Sequence, residues 1–151
     1  MSLVLTAIPR ALSLENHIVA FAGGGPGIFR NTLSEGAVVA TAPVSLTVEV
    51  GTFRGIVNSR LAYLGTAATS EAVAAPTGGS SGDLRRKDTV QYVFGEGISI
   101  KTGSESATPS APAADTGALK LAEIHCRNGM ASIKDADDAS NGFIVDARTF
   151  F

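Results

Sequence analysis

The sequence predicts a mainly β chain: a compact antiparallel β-barrel or sandwich with an extended N-terminal arm and long loops. Three observations carry this. Seventeen Gly and six Pro among 151 residues punctuate the chain too often for long helices. Short runs alternate β-branched or apolar residues with polar ones, the period of a strand with one buried face. Glycine-containing turns separate several of these runs at hairpin spacing. The length suits a single core, since domains usually span roughly 100–200 residues, and the reading divides the chain into an arm over residues 1–28 and a β domain over residues 29–151.

The arm mixes apolar residues (Leu3, Val4, Leu5, Ile8, Leu12, Leu14) with Pro9 and the cluster Gly23-Gly24-Gly25-Pro26-Gly27, which no regular helix or central strand tolerates. Residues 44–50 read as a strand because Val44, Leu46, Val48 and Val50 alternate with Ser45, Thr47 and Glu49. Residues 53–64 supply one or two more strands, broken near Asn58-Ser59. The Ala-rich stretch 66–75 fits a short helix or a loose connection. Residues 76–83, with Gly78-Gly79-Ser80-Ser81-Gly82, read as a mobile loop. Strand character resumes over 89–94 and, after Gly95-Glu96-Gly97, over 98–101, a hairpin. Pro109 and Pro112 make residues 102–116 an extended Pro/Ala-rich crossing. Residues 119–127 form a strand, Asn128-Gly129 a type I′ turn and residues 130–133 the expected return strand, followed by a polar turn over 135–141.

Composition narrows the function classes. Twelve basic against fourteen acidic residues, with no long block of either sign, point away from nucleic acid as a partner. A charged fraction of 17% and a mean hydropathy of +0.22 leave few charges to cover a small monomer, and Phe150-Phe151 are costly to leave in water, so association between copies is expected. Cys126 is the single cysteine, which rules out an intrachain disulfide and fits folding in a reducing cytosol. The start of the chain carries no basic leader, and no apolar run approaches the ~20 residues that cross a bilayer, so neither secretion nor a membrane is expected.

Each motif that could carry chemistry falls short of it. Gly78 to Gly82 match G-x-S-x-G around Ser80, but no buried strand precedes it and no helix follows, so it reads as a loop. The Gly23 to Gly27 cluster has Ile28 where a dinucleotide fingerprint needs glycine. His17, His125 and Cys126 are the only set for a transition metal, yet adjacent strand residues face opposite sides, and Cys126 is better read as a small buried residue. Asp135, Asp137, Asp138 and Asn141 resemble a calcium loop, but Ala139 and Arg148 stand at ligand positions. No cofactor, metal or catalytic residue is assigned. Arg85-Arg86-Lys87 is the densest basic run and would contact an acidic partner surface or an intersubunit carboxylate. The candidate partner-binding residues are Leu3, Leu5, Ile8, Arg85, Arg86, Phe150 and Phe151.

The stretch from Arg86 to Arg148 has a distinctive order. Arg86-Lys87-Asp88-Thr89-Val90 leads a strand, a glycine turn and short strand run to Lys101, and Thr108-Pro109-Ser110-Ala111-Pro112-Ala113 crosses to Gly117-Ala118-Leu119-Lys120-Leu121-Ala122-Glu123-Ile124, a glycine turn and an Asp-rich tail. This resembles segments of tailed-phage virion proteins: capsid decoration (cement) proteins, head fibres and tail or baseplate appendages. It departs from them at His125-Cys126-Arg127-Asn128, where the family more often has a Val-Pro-Ala-Gly-type turn. The resemblance implies a β-rich, commonly trimeric virion protein without catalysis. It would be made in the bacterial host cytoplasm and would bind the major capsid protein on the head surface, with a tail, baseplate or head-fibre adaptor as the alternative. A carbohydrate-binding module for host attachment is the rival of a different class, weakened by the absence of Trp and the presence of only Tyr63 and Tyr92.

Overall fold

The computed structural model describes residues 25–30, 32 and 34–151. Leu3, Leu5, Ile8 and nearly all of the expected arm lie outside them. The described residues contain eleven strands in three sheets and no helix. The mainly β reading is therefore correct, in the form of several sheets around one core rather than a closed barrel.

The largest sheet has the order β10-β11-β9-β7-β8, from β7 (Leu84–Val93), β8 (Gly97–Lys101), β9 (Leu119–Arg127), β10 (Ile133–Lys134) and β11 (Gly142–Asp146). A second has the order β1-β4-β5, from β1 (Gly27–Ile28), β4 (Phe53–Val57) and β5 (Arg60–Leu64). The third, β2-β3-β6, joins β2 (Val38–Ala40), β3 (Val48–Val50) and β6 (Ala68–Thr69), with β2 lying against β10 and β11. Pairings are antiparallel except for β10 with β11 and an isolated bridge from Ile28 to Phe150. All three sheets feed one core, including Ile28, Val48, Val50, Phe53, Leu121 and Ile124.

The β4–β5 hairpin forms because Asn58 and Ser59 both adopt positive φ (51° and 57°), the type I′ geometry whose twist matches the strands. Its register sets Arg54 opposite Tyr63 and Val57 opposite Arg60. The β7–β8 hairpin and β9 also form where the sequence places them, but β7 starts at Leu84, five residues before the expected strand. A bulge distinguishes β9: Ala122 faces Val90 and Lys120 faces Gln91, so Leu121 has no partner. Leu121 and Ala122 are therefore both buried, while Lys120 and Glu123 share the outer face.

Three expectations need correction, and one open alternative is settled. Gly27 and Ile28 belong to the β domain, because they pair with β4 and Ile28 is completely buried. The strand expected over 44–50 shrinks to β3, with Val44 48% exposed. The hydroxyls of Thr41, Ser45 and Thr47 sit 2.7–3.3 Å apart and Ser45 Oγ accepts from the Thr47 N–H, so local side-chain bonding replaces the ladder there. Of the two forms open to residues 66–75, the structure has the connection, with β6 inside it: Ser70 N–H donates to the Val48 carbonyl and Val73 N–H to that of Leu46. The turn at Asn128-Gly129 exists, closed by Met130 N–H to the Arg127 carbonyl, but only Gly129 takes positive φ (72°), so it is not type I′, and the chain does not return along β9. β11 occupies that edge, and β10 pairs outside it in parallel.

The crossing after β8 runs beside β7 and then over its outer face, with Ser106 N–H on the Arg85 carbonyl, Thr89 Oγ1 on that of Pro112, and Gln91 bonded to Asp115. The Gly/Ser loop over 76–83 is tied at several points. Asn128 Nδ2 donates to the Gly78 and Gly79 carbonyls, the Glu105 carboxylate accepts from Thr77 and Gly78 N–H, and Arg127 Nη1 donates to the Gly82 carbonyl.

Candidate functional site

The basic run that looked like a contact surface divides. A bulge at Arg85 turns Arg86 inward, onto the face shared with Asp88 and Val90. Arg86 is only 6% exposed and Asp88 0%, and the two form a bidentate pair: Nε to Oδ1 at 2.8 Å and Nη2 to Oδ2 at 2.9 Å. Arg86 Nη2 also donates to the Ala74 carbonyl at 2.6 Å, and Asp88 Oδ1 accepts from Gly103 N–H. Burial works against the Arg86 charge, but the Asp88 carboxylate outweighs it and holds the guanidinium above its ordinary pKa. Arg86 is thus an internal strut, and its assignment to a partner surface is corrected. Arg85 is half-buried, with its aliphatic stem against Gly79 and a buried Nε that no acceptor meets among the described residues.

Cys126 lies beside this pair. Burial first, then the Asp88 charge, pushes its thiol up to about 12, so the thiolate needed for nucleophilic or metal chemistry is scarce at neutral pH. Ser80 sits in a loop followed by a strand, without the helix that a nucleophile elbow needs. Among the described residues no three His, Cys, Asp or Glu side chains are placed to hold a metal ion. In the acidic turn, Asp135 accepts from Ala40 N–H. Asp137 pairs with Arg127, and Asp138 accepts from the N–H groups of Ser140 and Asn141.

The outer face of the large sheet carries a chain of charges made possible by the β9 bulge. Lys120 Nζ meets Glu123 Oε1 at 2.6 Å, and His125 Nε2 meets Glu123 Oε2 at 3.3 Å, with the His125 ring against Phe143. Burial lowers the His125 pKa, Glu123 opposes that, and Lys87 adds to it. The Lys120 hydrogen bond lowers Glu123; backbone N–H groups are the largest cause lowering Asp137 and Asp138, the latter to about 2. Both kinds of shift make the unfolded chain the better proton acceptor, so stability is lost in two stages on acidification. The first begins below the ordinary histidine pKa of 6.5 and the second below the ordinary carboxylate range near ~4. Urea midpoints at pH 7.5, 5.5 and 3 are expected to fall in that order, and His125→Gln to remove only the upper step.

A second assembly arises where β1 meets the β4–β5 hairpin. Phe29 N–H donates to the Arg54 carbonyl, which aligns Phe29 and Arg30 beside the start of β4. Together with Glu35, Thr52, Phe53, Tyr63 and Gly65 they line a cleft of about 570 Å³. The Arg54 guanidinium lies 5.1 Å from the Tyr63 ring centre, a cation–π stack between cross-strand neighbours. Tyr63 is 62% exposed, and its ring packs on Gly65, where an added Cβ would come within 2.8 Å of it. Sequence reasoning missed this site because Arg30, Arg54 and Tyr63 are far apart along the chain. The register set by the Asn58-Ser59 turn was the available signal for the Arg54–Tyr63 pair.

Of the two terminal aromatics, Phe150 packs on the core and Phe151 remains 43% exposed, resting near Gly27 with its ring centre 5.9 Å from that of Phe29. No family model, curated protein or solved structure matches the chain.

Proposed function

We propose that this chain is a non-catalytic virion structural module, a capsid decoration protein that associates with its own copies and binds the major capsid lattice of a tailed phage. The observation that carries the reading is that the stretch resembling phage virion proteins, Arg86 to Arg148, is a single structural unit: most of the five-stranded sheet and the crossing that packs on β7. The resemblance thus follows a folded piece rather than scattered strings. Exposed apolar side chains (Val39, Val44, Leu61, Tyr63, Val145 and Phe151) support association, because contact between copies removes such surface from water. A trimer is favoured by the resemblance and by the local three-fold points of capsid lattices. The rival glycan-binding reading is weakened at Tyr63, where Arg54 lies over one face of the ring on which a sugar would stack.

The test is the position of tagged protein in intact particles, by gold labelling or electron imaging. Label over the head is expected; label confined to the tail selects the adaptor alternative, and absence from particles overturns the virion reading. Deleting residues 1–18 is expected to abolish particle binding while leaving the β-type circular dichroism spectrum nearly unchanged, since the apolar side chains of that segment then serve an anchoring contact. Unaltered occupancy of the truncated protein would remove the anchoring role.

A further inference from the structure

We infer that the cleft formed by Phe29, Arg30, Arg54 and Tyr63 receives the acidic turn of residues 135–141 from a second copy of this chain. The inference rests on the self-association part of the reading above and specifies which surfaces meet.

The cleft is built for carboxylates. Arg86, Arg127 and Arg148 each bond an aspartate of their own chain, whereas no described carboxylate pairs with Arg30 or Arg54. Contact with the Tyr63 ring holds the Arg54 guanidinium at the cleft, and a guanidinium offers the N–H fork that matches a carboxylate. Glu35 is the one acid among the lining residues against the two guanidiniums of Arg30 and Arg54, so the cleft keeps a surplus of positive charge, and its carboxylate is held by Thr32 N–H at 2.8 and 3.0 Å and by the Thr32 hydroxyl. Phe29, Phe53 and Tyr63 supply apolar walls, and Phe151 extends that surface beside Phe29.

The complement is on the same molecule. Residues 135–140 are consecutively exposed and present Asp135, Asp137 and Asp138 against Lys134 and Arg127, a surplus of negative charge. The turn is shaped before any contact forms. Asp138 Oδ1 accepts from Ser140 and Asn141 N–H, and Asp137 Oδ1 from Ala139 N–H, so little ordering entropy remains to be lost on docking. Ala136 and Ala139 give it a small apolar surface to set against the aromatic walls.

The two surfaces belong to opposite ends of one strand. The turn leads into β11 at Gly142, whereas the chain leaves β11 at Asp146 and reaches the cleft rim through Arg148, whose Nη1 donates to the Glu35 carbonyl at 2.7 Å. Five strand residues separate them by ~17 Å at ~3.4 Å per residue. A molecule therefore cannot place its own turn in its own cleft, and the contact has to join copies, either reciprocally across a two-fold axis or head to tail. The head-to-tail form closes into a ring when the rotation allows, a trimer among them.

The test is sedimentation and light scattering of the full chain at micromolar concentration. Wild type is expected to associate and to weaken as salt rises, because exposed charge pairs are screened within about 10 Å at 0.1 M. Arg54→Glu and Asp135→Asn are each expected to raise the apparent dissociation constant at least about tenfold. Asn at 135 still offers an oxygen to Ala40 N–H, so that variant keeps the intrachain bond. The double variant Arg54→Glu/Asp135→Lys, which swaps the signs, is expected to recover association. If Arg54→Glu alters the circular dichroism spectrum, Arg30→Glu, an exposed residue stacked on no ring, probes the same cleft. An oligomer indifferent to salt and to every one of these changes would overturn this contact and leave self-association standing, whereas a monomer at all concentrations would overturn both.

Discussion

Asp88→Ala is expected to cost about 3–5 kcal/mol of unfolding free energy, because it removes one partner from a buried ion pair and strands the other. Asp88 is inaccessible to solvent and accepts from Arg86 Nε and Nη2, from Gly103 N–H and, at 3.5 Å, from the Cys126 thiol. Without it the Arg86 guanidinium keeps the Ala74 carbonyl but no counter-charge, and Gly103 N–H loses its acceptor beside the Lys87 carbonyl. Asp88→Asn is expected to cost less, since an amide oxygen can still accept from Gly103. Replacing both partners, Arg86→Met with Asp88→Ala, is expected to cost less than Asp88→Ala alone, because no charge is then stranded in the core, although Gly103 N–H still loses its acceptor. Urea denaturation of the three variants checks the order. A single-site loss no greater than that of the double replacement would mean that the pair is not the strut described here.

The same pair explains why part of the fold was hidden in the sequence. The β4–β5 hairpin, β8 and β9 were legible because their apolar residues alternate and their turns carry Asn or Gly where positive φ is required. The first half of β7 was not, because its core face carries Arg86 and Asp88, and hydrophobic patterning cannot see a strand whose buried positions are an ion pair. For the same reason Arg85-Arg86-Lys87 looked like one surface patch, although the bulge at Arg85 sends its middle member into the core.

Asn128-Gly129 shows a different limit. The position of the turn is set locally and was read correctly, although only Gly129 and not Asn128 takes the positive φ of a type I′ turn, and which strand lies beside β9 depends on competition between distant segments. Phe143, Ile144, Val145 and Asp146 pair with His125 to Ala122 and take that edge, and Ile133 and Lys134 pair outside them. Met130 is buried instead, against the space above Gly142. The cleft was invisible for a related reason: it joins Phe29 and Arg30, which follow β1, with residues of β4 and β5 and the loop around Glu35, and β1 is two residues at the end of a glycine cluster.

That two-residue strand is the basis of the second large effect. Gly55→Ala is expected to lower stability by about 3 kcal/mol or more, although it adds one methyl group. A Cβ at Gly55 would overlap the Gly27 carbonyl oxygen and come within 3.2 Å of Ile28 Cα, and both contacts are backbone, which cannot rotate away. Relief requires β1 to leave β4. β1 carries the fully buried Ile28, whose N–H donates to the Thr149 carbonyl and whose own carbonyl accepts from Phe151 N–H, so the C-terminal residues move with it. Exposing one Ile side chain costs roughly 1.5–3 kcal/mol, and loosening Phe150 from the core adds to that. Gly25→Ala is the matched control: nothing lies within 4 Å of the added carbon, and a change within ~0.5 kcal/mol is expected. Urea midpoints of the two variants, with amide exchange at Ile28 and Phe151, decide the matter. Gly55→Ala should accelerate exchange at both amides together, and equal stability of the two variants would mean that β1 does not pack on β4 as described.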